Sequence, residues 1–210
     1  MRKTVLGIVI ILLLFAIGIS MTHLRPLKKE LIPKKIIPKF TFGKIGRELG
    51  EFRTIGSSVA KDNYLYVADL DNHRIQVLKI NPDGNLFAQS TFGKKGTGLG
   101  EFDGIGNLVI KGDHLYVADP NNHRIQVLKI NSDGDLFAQS IFGKKGTGLG
   151  QFKVLGEFII IGGLVIKEDH LYVAERELHF PSIQVLKINP DGNLSAQSIF
   201  GKQGKGLGEF

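Results

Sequence analysis

The chain has 210 residues, 42% of them hydrophobic, with 27 glycines, which is long enough to bury a full core and shows no bias toward disorder. It contains no cysteine, so disulfides, thiolate metal sites and cysteine nucleophiles are excluded, while the compartment stays open because a large core needs no disulfide. The net charge of +7 belongs to residues 1–40, where eight Lys/Arg face the single acid Glu30; residues 41–210 balance 19 basic against 19 acidic side chains, so the footprint that phosphate binding requires is missing there and nucleic acid is not an expected partner.

Residues 5–21 form an uncharged run of 17 after Met1-Arg2-Lys3, at the lower limit for crossing a hydrocarbon core of about 30 Å as a helix. Two readings of residues 1–21 compete. In one they are a secretory signal, with Gly18 and Ser20 as a permissible cleavage pair; in the other they are an uncleaved membrane anchor, because the apolar run has no polar break. The six Lys/Arg between Arg25 and Lys39 oppose export of the C-terminal side, whereas Arg2 and Lys3 favour it. A leader at the extreme N-terminus is the usual export arrangement, so the expectation is a membrane-anchored or secreted protein with an extracytoplasmic repeat region. Residues 22–35, with Pro26, Pro33 and two Lys-Lys pairs, have no strand or helix periodicity and read as a basic linker.

From residue 36 the chain repeats itself. The periods are 41–90, 91–140 and 141–198, and residues 199–210 begin a fourth copy. The first two periods are 50 residues long and the third is 58. Its extra residues fall at 153–163 and at 175–182, where turns tolerate insertion. In the second copy four short apolar runs, 107–111, 115–119, 124–131 and 136–142, are separated by turn signals short enough for antiparallel hairpins. Asn81-Pro82-Asp83-Gly84 and Asn189-Pro190-Asp191-Gly192 make the last break firm, since Pro presets a turn and Gly accepts positive φ. Each repeat is therefore expected to be a four-stranded meander. Neighbouring residues in Tyr116-Val117-Ala118 and Ile125-Gln126-Val127-Leu128 are apolar on both faces, so the sheets should be covered on both sides, as stacked propeller blades are.

The signature Val117-Ala118-Asp119-x-x-Asn122-His123-Arg124-Ile125-Gln126-Val127, preceded by a Phe-Gly…Gly-Glu-Phe segment, resembles the NHL repeat. The resemblance covers residues 36–210 and implies an all-β fold, a propeller of four-stranded antiparallel blades with three NHL-type blades present as a partial ring. The third copy departs from the signature: Glu175 replaces the Asp, and the Asn-His-Arg triplet is lost. Relatives of this kind usually close six blades, so three blades imply either a truncated chain or a homodimer that completes the ring, because open blade faces would expose a large apolar patch.

No catalytic, cofactor or metal residue stands out. Asp69 with Arg74, and Asp119 with Arg124, flank one tight turn and are expected to clamp it. Six histidines show no His-x-His or His-x-x-x-His spacing, and His114 and His170 occupy the position that Tyr64 fills in the first copy, which argues against a metal ligand. Gly93-Lys94-Lys95-Gly96-Thr97-Gly98 lacks the Gly-Lys-Ser/Thr ending of a phosphate loop and reads as a connector between blades. Ser57, Ser58, Ser90 and Ser140 sit in ordinary strand or loop contexts. The expected function is a non-catalytic binding or scaffold module that presents blade loops to a protein, glycan or small molecule, with a membrane contact through residues 5–21. The alternatives are a metal-dependent lyase- or hydrolase-like propeller enzyme with its site on the central axis, and an RNA-binding domain.

Overall fold

The computed structural model describes residues 41–152, 161–175, 181–201 and 206. All of them belong to one unit of the chain, Phe40–Phe210. The apolar run 5–21, the linker 22–35 and the start of the repeat at 36–40 lie outside the described residues. Among the described residues no helix is long and apolar enough to cross a membrane.

Three four-stranded sheets follow a small pair, β1 (Lys44–Ile45) with β2 (Glu51–Phe52), which run parallel. The first blade is β3 (Ile55–Lys61), β4 (Tyr64–Asp69), β5 (Arg74–Ile80) and β6 (Leu86–Phe92). The second is β7 (Leu108–Lys111), β8 (His114–Asp119), β9 (Arg124–Ile130) and β10 (Leu136–Phe142), and the third is β11 (Ile161–Lys167), β12 (His170–Glu175), β13 (Ser182–Ile188) and β14 (Leu194–Phe200). In each sheet the spatial order is the chain order and every pairing is antiparallel, so each blade is the expected meander. Strand β7 lies beside both β3 and β11, which makes the first strand of each blade the inner one. The fold is an all-β propeller arrangement of stacked blades.

Alternation along the second strands decides how the blades meet, because successive side chains point to opposite faces. Tyr66 and Ala68 of the first blade face Leu115, Val117 and Leu128 of the second, in one core with Phe102 and Ile105. On the other side of the second blade, Tyr116 and Ala118 meet Leu171, Val173 and Leu186 of the third, in a core with Phe152. One face thus presents Tyr and Ala, and the next blade receives them with Leu and Val. Within these faces the buried Tyr66 hydroxyl donates to the Gly134 carbonyl at 3.0 Å, and Tyr116 donates to Gly192 at 2.9 Å.

A bulge repeats that interlock at the outer strands. Pairing of β5 with β6 slips between Leu78↔Ala88 and Val77↔Ser90, and the same slip recurs at Ala138/Ser140. The residue in the bulge, Gln89 or Gln139, is re-aimed out of its own sheet. Gln89 donates to the Asp133 carbonyl at 2.7 Å and Gln139 to the Asp191 carbonyl at 2.9 Å, each in the β-turn of the following blade. Ser90 and Ser140 bond the same turns, to Asp135 Oδ1 at 2.8 Å and Asn193 Oδ1 at 2.6 Å.

Burial pushes both inter-blade tyrosine hydroxyls up to about 12, with nearby acids Asp62 and Asp135, or Asp113 and Asp191, acting in the same direction. The neutral phenol is the form that the folded chain stabilises. That contribution is complete below the ordinary value of 10.0 and is lost as pH rises from there toward 12. The urea midpoint should therefore fall steeply across this interval. A Tyr66→Phe/Tyr116→Phe chain should start lower at neutral pH, by about 1 kcal/mol for each lost hydrogen bond, and should show a flatter alkaline limb.

Candidate functional site

The signature residues gather at one end of each blade, and their geometry shows what they are for. Leu70–Asn72 and Pro120–Asn122 are single 3-10 turns, each closed by a histidine in the left-handed region, His73 at φ 52° and His123 at φ 55°. Asn and Arg are thereby aimed back at the aspartate. Asp119 is fully buried and accepts from Asn122 Nδ2 at 2.9 Å, Arg124 Nε at 2.7 Å, Gln126 Nε2 at 3.1 Å and the Asp103 amide at 2.9 Å. Asp69 accepts from Asn72, Arg74, Gln76 and the Arg53 amide in the same way, at 2.8, 2.9, 3.2 and 3.0 Å.

The clamp expected on the hairpin is present, and its reach is longer than the hairpin. Arg124 also donates to the carbonyls of Thr97, Gly98 and Glu101 at 2.6, 2.8 and 2.7 Å. Asn122 bonds the Gly96 carbonyl at 2.9 Å, and Gln126 holds the Gly100 amide at 2.8 Å and the Glu101 carbonyl at 2.5 Å. All of these belong to the glycine-rich connector, which is therefore a strapped element of the blade with no phosphate-cradle geometry. Buried polar groups in a low dielectric are costly unless satisfied, and here each pays for its neighbour's burial. The repeated Asp, Asn, Arg and Gln are consumed by the architecture.

Ser57, Ser90 and Ser140 are likewise structural: Ser57 Oγ accepts the Leu108 amide at 3.1 Å, and the other two bond the following blade's turn. His114 bridges Asp113 at 2.8 Å and Gln139 at 3.2 Å, and His170 bridges Asp169 at 3.2 Å. Both lie at the opposite end of the blades from His73 and His123, in the register of Lys129 and Lys187. Among the described residues no group of three or more His, Asp or Glu is placed to hold a metal ion. His123 Nδ1 is buried with no hydrogen-bond partner among the described residues, and burial, helped by Lys145, holds its protonation below the ordinary histidine range.

The third blade departs from the pattern at this same end. Ile161 pairs with Glu175, and Glu175 with Ser182, so both divergent segments, 153–163 and 175–182, enter or leave the sheet along one rim. Residues 153–160 and 176–180 lie outside the described residues. Ser182 Oγ hydrogen-bonds the buried Glu175 carboxylate, and Gln184 keeps its clasp on the Gly150 amide at 2.8 Å and the Gln151 carbonyl at 2.6 Å.

On the first blade, this rim carries a cleft lined by Arg47, Arg53, Asp71, His73, Arg74 and Lys95. Asp71 accepts from Thr54 Oγ1 at 2.5 Å, and Arg74 is engaged by Asp69. Fifty residues on, the corresponding positions are Thr97, Asp103, Asn121, His123, Arg124 and Lys145. Two arginines are thus particular to the first copy, and they make its rim cationic. Periodicity highlights what the copies share, so it passes over these two residues; subtracting one copy from the next finds them.

The NHL repeat matches residues 108–128, and the LVIVD repeat matches residues 57–74. Both are β-propeller-type repeats, and the NHL resemblance of the signature holds. No curated protein matches the chain. Solved structures with the same fold include a candidate 6-phosphogluconolactonase from Bacteroides uniformis, with a TM-score of 0.55 and 16% identity over 69% of this chain and 40% of that one. A protein from Lactobacillus plantarum matches at 0.53 with 19% identity over 70% and 42%, and the periplasmic gluconolactonase of Pseudomonas aeruginosa at 0.50 with 14% identity over 70% and 39%. The chain spans about two fifths of the length of these proteins, and the likeness is one of fold.

Proposed function

We propose that this chain is a binding module whose ligand surface is the signature-turn rim, and that the ligand is an acidic segment of a protein. The Arg47 and Arg53 side chains, with Lys95 beside them, carry this reading, because they sit on the rim where the copies differ and, unlike Arg74 in the same cleft, take no part in the shared clamp, while the cleft's Asp71 is engaged by Thr54. Guanidinium groups pair with carboxylates in bidentate geometry, and a surface cleft of one sign also speeds encounter with an oppositely charged partner. The leader at residues 5–21 would hold such a module at a membrane or direct its export, with the rim presented outside the cytoplasm.

Binding of a fluorescent oligoglutamate peptide to the full chain tests this reading. The expected result is saturable binding that weakens with added salt and falls at least about tenfold in Arg47→Glu/Arg53→Glu, with no change in Lys79→Glu at the other end of the blade. Equal affinity in both variants would refute the site. A single-stranded RNA oligomer bound more tightly than the peptide at physiological salt would reassign it to phosphate recognition.

A further inference from the structure

The glycine-rich connectors are strapped to the signature turns, and the three copies differ in charge. Residues 43–52 carry Lys44 and Arg47 against Glu48 and Glu51, residues 93–102 carry Lys94 and Lys95 against Glu101, and residues 143–152 carry Lys144 and Lys145 against no acid. In the first two copies the leading lysine is neutralised within its own connector: Lys44 Nζ meets Glu51 at 2.8 Å, and Lys94 Nζ meets Glu101 at 3.2 Å. In the third copy Gln151 stands at that position and offers Lys144 no charge. The exchange leaves the architecture in place. Gln151 Oε1 still receives the Gly148 amide, at 3.4 Å, where Glu101 receives the Gly98 amide at 2.9 Å. The Gln151 carbonyl is held by Gln184 as the Glu101 carbonyl is held by Gln126, and Lys145 bridges to Phe152 as Lys95 does to Phe102. The needs of the fold account for the shape of residue 151 and do not account for its neutrality.

Placement decides what the released cations can reach. Lys95, on the connector that enters the second blade, lines the cleft over the first blade's turn together with Arg47, Arg53 and His73. Lys145 holds the equivalent place one blade on: burial disfavours protonation of the His123 ring and Lys145 adds to that effect, so its ammonium lies close to the second blade's turn. Lys144 and Lys145 are both exposed. Where the first turn has Arg47 and Arg53 the second has Thr97 and Asp103, and Arg124 there is held by Asp119. The positive charge of the second turn is therefore the work of Lys144 and Lys145.

We infer that the acidic ligand spans two neighbouring turns of the rim, with Arg47, Arg53 and Lys95 holding one part of it and Lys144 and Lys145 the next. The inference rests on the acidic-segment reading above and adds the length that the segment must have. Stacked sheets lie about 10 Å apart and an extended chain advances about 3.4 Å per residue, so about three residues separate the two points of contact. A continuous run of about eight acidic residues covers both turns, whereas a run of about four covers one. Engagement of the second turn by a chain already held at the first is intramolecular, and it raises affinity through effective concentration without a new kind of contact.

The test compares tetraglutamate with decaglutamate on the full chain, by competition against labelled decaglutamate at physiological ionic strength. Decaglutamate should bind at least about tenfold more tightly. Lys144→Gln/Lys145→Gln should cut that length advantage to about twofold and leave tetraglutamate affinity unchanged, because beyond about 8 Å the screened charge of the second turn is not felt at the first. Gln151→Glu, which gives Lys144 the ion pair that its counterparts make, should lose about two- to fivefold of the advantage. Each variant should keep the wild-type circular dichroism spectrum. Lys79→Gln/Lys129→Gln, at the opposite end of the blades, removes as much charge and should preserve the advantage. Tetraglutamate that binds with no gain from length would overturn the inference and leave the first cleft standing. A gain that survives in Lys144→Gln/Lys145→Gln would also overturn it, by placing the added contacts elsewhere. So would an equal loss in Lys79→Gln/Lys129→Gln, which would reduce the gain to net charge. Binding of neither peptide would refute the acidic-segment reading itself.

Discussion

Asp119→Ala should cost about 3–5 kcal/mol, the range for removing one partner of a buried ion pair. The carboxylate is wholly buried and takes four hydrogen bonds, and Arg124, only 6% exposed, would lose the anion that its Nε faces at 2.7 Å. The strap on Thr97, Gly98 and Glu101 would loosen with it, because the guanidinium is oriented by the carboxylate. Chemical denaturation should show a midpoint far below wild type, and hydrogen exchange should rise first at the Gly100 and Asp103 amides, which the clamp holds. Asp119→Asn keeps the shape and one of the two acceptor oxygens, so it should lose less. If Asp119→Ala denatured like wild type, the clamp would not be a source of stability.

Gly93→Ala should be nearly as damaging, for two separate reasons. Its φ of 99° is one that side chains rarely adopt, which costs about 1–2 kcal/mol. A Cβ would also lie 2.6 Å from the Phe102 ring, and that ring has nowhere to go: it is fully buried and packed edge-on to Phe92 at 6.3 Å. Overpacking of this kind adds about 1–3 kcal/mol. Phe42 with Phe52 and Phe142 with Phe152 repeat the geometry at 6.5 and 6.4 Å, so Gly43→Ala and Gly143→Ala should fail similarly. Gly93→Ala/Phe102→Leu should recover the steric part and leave the backbone part. No recovery in the double variant would assign the whole effect to the backbone.

The blades were legible because their signals are local. Alternation, β-branched runs and Asn-x-Asp-Gly turns act over a few residues, and the four strands expected in the second copy fall within one or two residues of β7 to β10. What escaped lies further apart in the chain. Gln126 lies within an apolar run of the sequence, and the meaning of Gln76 and Gln126 is in the carbonyls of Glu51 and Glu101, 25 residues earlier. Tyr66 reaches 68 residues ahead to Gly134, and Tyr116 reaches 76 ahead to Gly192. A signal did exist: a glutamine and a tyrosine kept at fixed positions in all three copies of an otherwise aliphatic core must each have a polar partner. The candidate rim escaped for the opposite reason, since Arg47 and Arg53 are not repeated at all.

The backward reach of the clamp also decides where this protein can be cut and rejoined. A blade defined by its four strands alone would begin at Leu108 in the second copy. A cassette started there would carry Asp119, Asn122, Arg124 and Gln126 without the connector they strap, leaving a buried carboxylate and guanidinium facing a foreign loop. The transplantable cassette runs from Gly93 to Phe142, with its seam at the Phe-Gly step. Grafts made on that boundary carry the connector together with every clamp residue that binds it, and that is the register in which this chain can be shuffled, lengthened or shortened by whole blades.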